Sequence, residues 1–257
     1  MSKPENRRRG RADFERLLTI FGRKPVLEAL QDQSVNVVRL HLADSNRDGG
    51  IVRDIRRLAA ERGIEVRGHT REELSRISRN RRQDQGVAAD VEVPGSGPFP
   101  DFIDSHADTS FELMALDGVT NPQNVGLCIR SVCASPFDGL LLPQRGCASV
   151  DGLVIKASAG TVFRTPLLRC ETLEAALPAF RECGTRIVGV EGHAGAIPLR
   201  ELPPAPRTVF VLGNETEGLS PATRELCDLT TMVPMARGVE SLNVAVAAAL
   251  VALRSVV

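Results

Sequence analysis

The sequence predicts an α/β protein of two units, a small one followed by a larger one built on a mostly parallel sheet. Three observations lead there. Short β-rich runs alternate with helical ones along most of the chain, a Pro/Gly-rich stretch (PGSGPFPD, 94–101) interrupts the alternation, and the charge balance changes sign across it. Residues 1–95 hold 20 Lys/Arg against 15 Asp/Glu, whereas residues 96–257 hold 12 against 17. Such asymmetry inside a chain of zero net charge points to a division of labour between the halves.

In the first half, VNVVRLHLA (35–43), IEVRG (64–68) and GVAADVEV (86–93) read as strands, and IVRDIRRLAAERG (51–63) and TREELSRI (70–77) as helices. Thr70 and Glu73 form a T-x-x-E capping box for the second helix, and Gly63 stands where the first must stop. Three prolines and two glycines in PGSGPFPD continue neither element, so residues 96–108 are expected to be a linker between a domain at 1–95 and one at 109–257. The second half alternates again through FELMALDG, VGLCIRSVCA, FDGLLLP, TRIVGVE and RTVFVLG, and closes on an apolar helix from Val244 to Leu253. Alternating strands and helices imply a parallel sheet covered by helices on its faces.

The longest apolar run falls well short of the ~20 residues that a membrane span needs, and no apolar stretch follows the charges of MSKPENRRRGR, so a cytoplasmic protein is expected. Six cysteines contain no C-x-x-C pair and the four histidines are scattered, which argues for reduced thiols and no metal. Of the 32 basic residues 29 are Arg. They crowd at Arg7, Arg8, Arg9 and Arg11 in an expected disordered tail (1–13), and at Arg76, Arg79, Arg81 and Arg82 in RISRNRR. Guanidinium groups pair bidentately with phosphate and stack on bases, so the second cluster is a candidate RNA contact; a solvated surface run is the bland alternative.

Three stretches of the second half read as polar, glycine-bearing loops between strands and helices: LDGVTNPQNVGLCIRS (116–131), VFVLGNETEGLS (209–220) and VPMARGVESLN (233–243). In an open parallel sheet, loops at the carboxyl ends of strands are where ligands bind. Singly each has a structural explanation. Asn124 would cap a helix starting at Val125, and Gly213 and Gly218 would supply positive φ. As a set in this order, N-P-Q-N-V-G-x-x-x-R, L-G-N-E-x-x-G-L-S and V-P-M followed by E-S-L-N-V-A-V-A resemble the three signature motifs of the SpoU/TrmH-like branch of the SPOUT RNA methyltransferases. The resemblance covers residues 111–257, including ASAG at 157–160, and the first half is similar to the ribosomal-protein-like α/β substrate domain of longer members.

That resemblance implies a carboxyl-terminal domain with a deep trefoil knot and a homodimer with active sites at the subunit contact. It also implies S-adenosylmethionine held by Leu212, Gly213, Gly218, Val233, Met235 and Leu242. It implies further that Arg130, Asn124, Glu215, Ser241 and Asn243 carry methyl transfer to a ribose 2′-hydroxyl of ribosomal or transfer RNA. Ser241 and Asn243 would face the ribose, Leu242 would turn back to the cofactor, and Glu215 would orient backbone or Arg130. No G-x-G-x-x-G exists to offer a Rossmann-type donor site. Base methylation on the same fold, or RNA binding without catalysis, are the competing readings.

Overall fold

The computed structural model describes residues 17–256. The basic tail with Arg7, Arg8, Arg9 and Arg11 lies outside the described residues. By compactness the chain divides into two units: the residues through Pro94 together with Val150–Ile155, and Gly95–Ser149 together with the residues from Lys156 onward.

The first unit is a four-stranded sheet with three helices. Its elements are β1 (Leu17–Phe21), α1 (Arg23–Gln31), β2 (Asn36–Ala43), α2 (Gly50–Glu61), β3 (Glu65–His69), α3 (Arg71–Ser78) and β4 (Val87–Glu92), with strand order β1-β4-β2-β3. Only β2 and β3 run parallel. Alternation puts Ile20, Leu40, Leu42, Val87 and Ala89, all buried, on one face of the sheet. Thr19, Arg39, His41 and Asp90 fall on the other, where the carboxylate of Asp90 accepts from Thr19 Oγ1 at 2.8 Å and lies 3.0 Å from His41 Nε2. Burial works against the Asp90 charge, yet His41, Thr19 and Arg39 together hold its carboxyl below the usual range. The capping box of α3 forms as expected: Thr70 Oγ1 accepts from Glu73 N, and the Glu73 carboxylate accepts from Thr70 N at 2.9 Å.

The second unit is an eight-stranded sheet in which every pairing is parallel. Its strands are β5 (Gly97–Pro98), β6 (Phe111–Leu116), β7 (Gly139–Pro143), β8 (Leu167–Cys170), β9 (Arg186–Val190), β10 (Ile197–Pro198), β11 (Arg207–Leu212) and β12 (Leu229–Met232). They are ordered β10-β12-β9-β11-β6-β7-β8-β5. The central strands, FELMAL, GLLLP and RTVFVL, are apolar over most of their length, Glu112, Arg207 and Thr208 apart, as strands covered by helices on both faces are. On one face α4 (Phe99–Ser105) and α7 (Leu173–Glu182) bury Phe102 and Phe180 against Phe111, Leu113, Val209 and Val211. On the other, α5 (Pro122–Cys133) packs against α9 (Val244–Leu253), and α9 against β11. The short helix α8 (Pro221–Glu225) completes this unit, while the first four residues of α6 (Gly152–Ala157) group with the first unit.

One expectation is corrected here. Residues 96–108, expected to be a linker, belong to the second unit. Gly97–Pro98 pairs with Leu168–Arg169 as the edge strand, and α4 follows at once with Pro100 in its first turn and Phe102 in the core. Proline is tolerated in a first helical turn, where the N–H it lacks has no intrahelical partner, and on a sheet edge.

Candidate active site

The sheet order assembles the site. Strands β12, β9, β11 and β6 are neighbours, and their carboxyl ends come level: Leu116 pairs with Leu212, Leu212 with Val190, and Val190 with Thr231. The loops that follow these four strands therefore emerge side by side.

The first loop ends on Asn121, whose side chain accepts from Gln123 N at 2.9 Å and caps α5. The cap is thus three residues earlier than Asn124, which lies inside the helix, buried, and free of any capping duty. Its side chain instead joins the other two loops. Asn124 Nδ2 donates to Glu215 Oε1, and Asn124 Oδ1 accepts from Asn243 Nδ2 at 3.1 Å. Asn243 Oδ1 in turn accepts from Ala245 N at 2.9 Å and caps α9. A carboxylate only accepts, so the Glu215 end fixes which way both amides point. The polarity runs without a break from Glu215 through two amides to the first turn of a helix. Glu215 therefore meets Asn124 and not Arg130.

The second loop is a tight hairpin in which Asn214 and Gly218 exchange backbone hydrogen bonds of 3.0 and 2.9 Å. Asn214 Oδ1 accepts from Thr216 N, and Asn214 Nδ2 donates to Gly118 O, while Asp117 accepts from Ser220 N at 2.7 Å. These bonds stitch the first loop to the second. Gly213 has no room for a side chain: a Cβ there would stand 2.2 Å from Gly218 C and 2.4 Å from Leu219 N.

Between the second and third loops and the end of β9 lies a cavity of about 540 Å³. Leu212, Gly213, Gly218, Val233, Met235 and Leu242 line it, as do Glu215 and Ser241. Asn124, Arg130 and Asn243 are not on its wall. The alternation expected across the third loop is shifted: Ser241 and Leu242 both border the cavity, and Asn243 turns away to cap α9 and meet Asn124. Val190, Glu191 and Gly192 also line it. Sequence reasoning missed these three, because VEGHAG carries no motif and only the strand order brings it beside the other loops.

Arg130 is exposed, and its guanidinium makes no hydrogen bond or ion pair among the described residues. Gln123, Leu127 and Arg130 are exposed along α5, whereas Asn124 and Cys128 are buried. With about 100° per residue, Arg130 and Asn124 point roughly 120° apart. The structure joins Asn124, Glu215 and Asn243 but leaves Arg130 outside that chain. Burial, with the charge of Glu215 adding to it, pushes the Cys128 thiol up to about 12, and burial raises Cys147 and Cys227 to about 11. These are protonated packing groups, not nucleophiles. Among the described residues no cluster of three or more His, Cys, Asp or Glu is set to hold a metal, and no helix is long and apolar enough to cross a membrane.

The arginines of RISRNRR belong to the first unit. Arg76, Arg79, Arg81 and Arg82 are all exposed. The loop that follows α3 is tied down by the buried carboxylate of Asp84, which accepts from Ser78 Oγ at 2.9 Å and Gly86 N at 2.8 Å and has Arg71 Nη1 at 3.6 Å.

An all-parallel sheet with a glycine hairpin, a polar amide chain and a cavity of mixed apolar and acidic lining at its carboxyl edge is where an α/β frame binds ligands. Comparison with known proteins names the class. Residues 113–253 match the SpoU rRNA methylase family, and residues 19–94 match the RNA 2′-O ribose methyltransferase substrate-binding family. The chain belongs to the SpoU methylase family. It is 37% identical over 253 residues to an uncharacterised tRNA/rRNA methyltransferase of Mycolicibacterium smegmatis, covering 97% of this chain and 79% of that one. The SpoU methyltransferase AviRb of Streptomyces viridochromogenes, solved in complex with AdoMet, matches with a TM-score of 0.58 and 26% identity, over 98% of this chain and 92% of that one. An AdoMet-bound rRNA methyltransferase of Sinorhizobium meliloti shares the fold, with a TM-score of 0.63 at 24% identity over 100% and 97% of the two chains.

Proposed function

We propose that this protein transfers a methyl group from S-adenosylmethionine to a ribose 2′-hydroxyl of ribosomal or transfer RNA. The observation that carries this reading is the hydrogen-bonded chain Glu215–Asn124–Asn243 beside the 540 Å³ cavity, built from all three sequence motifs at once. The cavity suits the donor. Leu212, Val233, Met235, Leu242 and Val244 offer apolar cover for an adenine ring, and Glu215, Glu217 and Glu240 put carboxylates on the wall for a ligand bearing sulfonium and ammonium charges. When bound, the donor supplies an electrophilic methyl group.

The chain's own residues do the rest. Glu215 locks the Asn124 amide, Asn124 locks that of Asn243, and Ser241 stands free at the cavity wall to hold the acceptor ribose. Arg130 takes the phosphate beside the target nucleotide and stabilises the developing alkoxide, since a guanidinium offers five donors and no acceptor for a proton; the hydroxyl proton leaves to solvent and S-adenosylhomocysteine is the product.

Because Arg130 points away from the amide chain of its own protomer, we place it in the site of a two-fold partner. The exposed residues Leu127 (41%), Val246 (49%) and Leu250 (39%) on the packed pair α5 and α9 form the apolar surface for that contact. The third loop returns the chain from β12 near the sheet edge to α9 over β11, and we read this return as the passage that would close a trefoil knot. The first unit holds RNA through Arg76, Arg79, Arg81 and Arg82, and the enzyme works in the cytoplasm where these RNAs are.

Calorimetric titration with S-adenosylhomocysteine and single-turnover methylation of RNA, on wild type and Arg130→Ala, test this reading. Arg130→Ala is expected to keep donor affinity within about 3-fold and lose transfer by on the order of 10² or more. Absence of donor binding by the wild type overturns the assignment.

A further inference from the structure

Glu191 lines the cavity yet belongs to none of the three motif loops. It follows the last residue of β9, next to the end of β11, and its side chain is 19% exposed. One edge of its carboxylate is taken by Arg224 of α8, with Nε at 2.8 Å and Nη2 at 2.6 Å, and Leu219 N donates to it as well. Gly218 explains how the carboxylate is seated there: at φ +71° a Cβ on this residue would stand 2.8 Å from Glu191 Oε1. Beside it, Gly192 borders the same cavity, and its backbone N–H has no hydrogen-bond partner among the described residues.

Two features select what such a pair would bind. The charge of Glu191 is already matched by Arg224, whereas Glu217 and Glu240 on the same wall have no ion-pair partner among the described residues; a cationic group would go to those. With two bonds from Arg224 and one from Leu219 N, Glu191 keeps one of its roughly four lone-pair sites for a neutral donor. Next to this acceptor stands an N–H donor without a partner, and a hydroxyl both donates and accepts whereas an ammonium group or adenine's conjugated amine only donates. We propose that Glu191, together with the N–H of Gly192, recognises a hydroxyl of the donor's ribose and so sets the cavity's preference for a ribonucleoside ligand. This rests on the reading of the cavity as the S-adenosylmethionine site.

The test compares S-adenosylhomocysteine with its 2′-deoxy, 3′-deoxy and inosine counterparts by calorimetric titration against wild type, Glu191→Gln and Glu191→Ala. Removing one of the two hydroxyls is expected to weaken binding to the wild type about 10-fold or more, the range for a hydrogen bond to a charged group. The same removal should change binding to Glu191→Ala by less than about 3-fold, with Glu191→Gln between the two. If Glu191 merely tethers Arg224, the variant weakens the parent ligand and its deoxy forms by the same factor, and the proposal fails. It also fails if neither hydroxyl matters to the wild type, or if the inosine form is the one whose loss depends on Glu191. The wild-type comparison needs no variant to fold. Failure of the wild type to bind S-adenosylhomocysteine at all overturns the donor-site reading itself, a result distinct from indifference to the ribose.

Discussion

At Gly213 the two halves of a hairpin approach so closely that any side chain collides with backbone, not with a movable side chain. Inserting even a methyl group into such a place costs roughly 1–3 kcal/mol, because the loop must open to admit it. Gly213→Ala is therefore expected to lower the melting temperature by several degrees and to weaken S-adenosylhomocysteine binding on the order of 10-fold. Gly195→Ala is the control, since its Cβ would meet nothing closer than the His193 ring at 3.4 Å and it is not on the cavity wall. Thermal melts with and without ligand check both; equal behaviour of the two variants would contradict the packing argument. Asn124 teaches a related lesson. The sequence offered it as a cap or as a site residue, and the cap reading falls because Asn121 three residues earlier carries the same capping chemistry and takes the cap.

The closing helix was legible to the residue: ten apolar residues follow an Asn, and α9 spans Val244–Leu253 with Asn243 as its cap. What the local pattern could not show is that the cap's amide nitrogen reaches a second helix, 119 residues earlier in the chain. The two duties can be separated. Asn243→Ser keeps a capping hydroxyl but falls short of Asn124, so stability should stay within about 0.5 kcal/mol while transfer collapses. Asn243→Ala should lose both, with about 1 kcal/mol of stability removed. Denaturant melts beside single-turnover rates distinguish them, and a fully active Asn243→Ser would remove the amide chain from the mechanism. In the first unit, the loop braced by Asp84 presents its arginines outward. Replacing Arg79, Arg81 and Arg82 by Ala should weaken RNA binding and flatten its salt dependence by about one counterion per lost phosphate contact, with donor affinity unchanged. A salt slope equal to that of the wild type would place the RNA elsewhere. The missed elements, β5 and α4, lay under PGSGPFPD, where prolines read as a break in fact occupy an edge strand and a first helical turn.

Across the whole molecule, the sheet order is what the sequence could not supply. Strand periodicity identified β6, β9 and β11, but only their adjacency shows that Glu191 shares a cavity with the motif loops. The surface of α5 and α9 raises the remaining question of assembly. If Leu127, Val246 and Leu250 form a two-fold contact, Leu250→Glu should convert a dimer to monomers in light scattering at micromolar concentration and abolish transfer while the protomer still binds donor. A monomeric, active wild type would refute the shared site.

The central claim is methyl transfer to a ribose hydroxyl, and the chemistry of the product tests it directly. A methylated 2′-oxygen cannot attack its neighbouring phosphate, so alkali leaves that linkage intact. RNA from cells lacking this protein should be incubated with it and methyl-labelled S-adenosylmethionine, then hydrolysed in alkali. Label is expected in alkali-resistant dinucleotides, and is expected to be absent when Asn124→Ala replaces the wild type. Label recovered in mononucleotides would show a methylated base and contradict it.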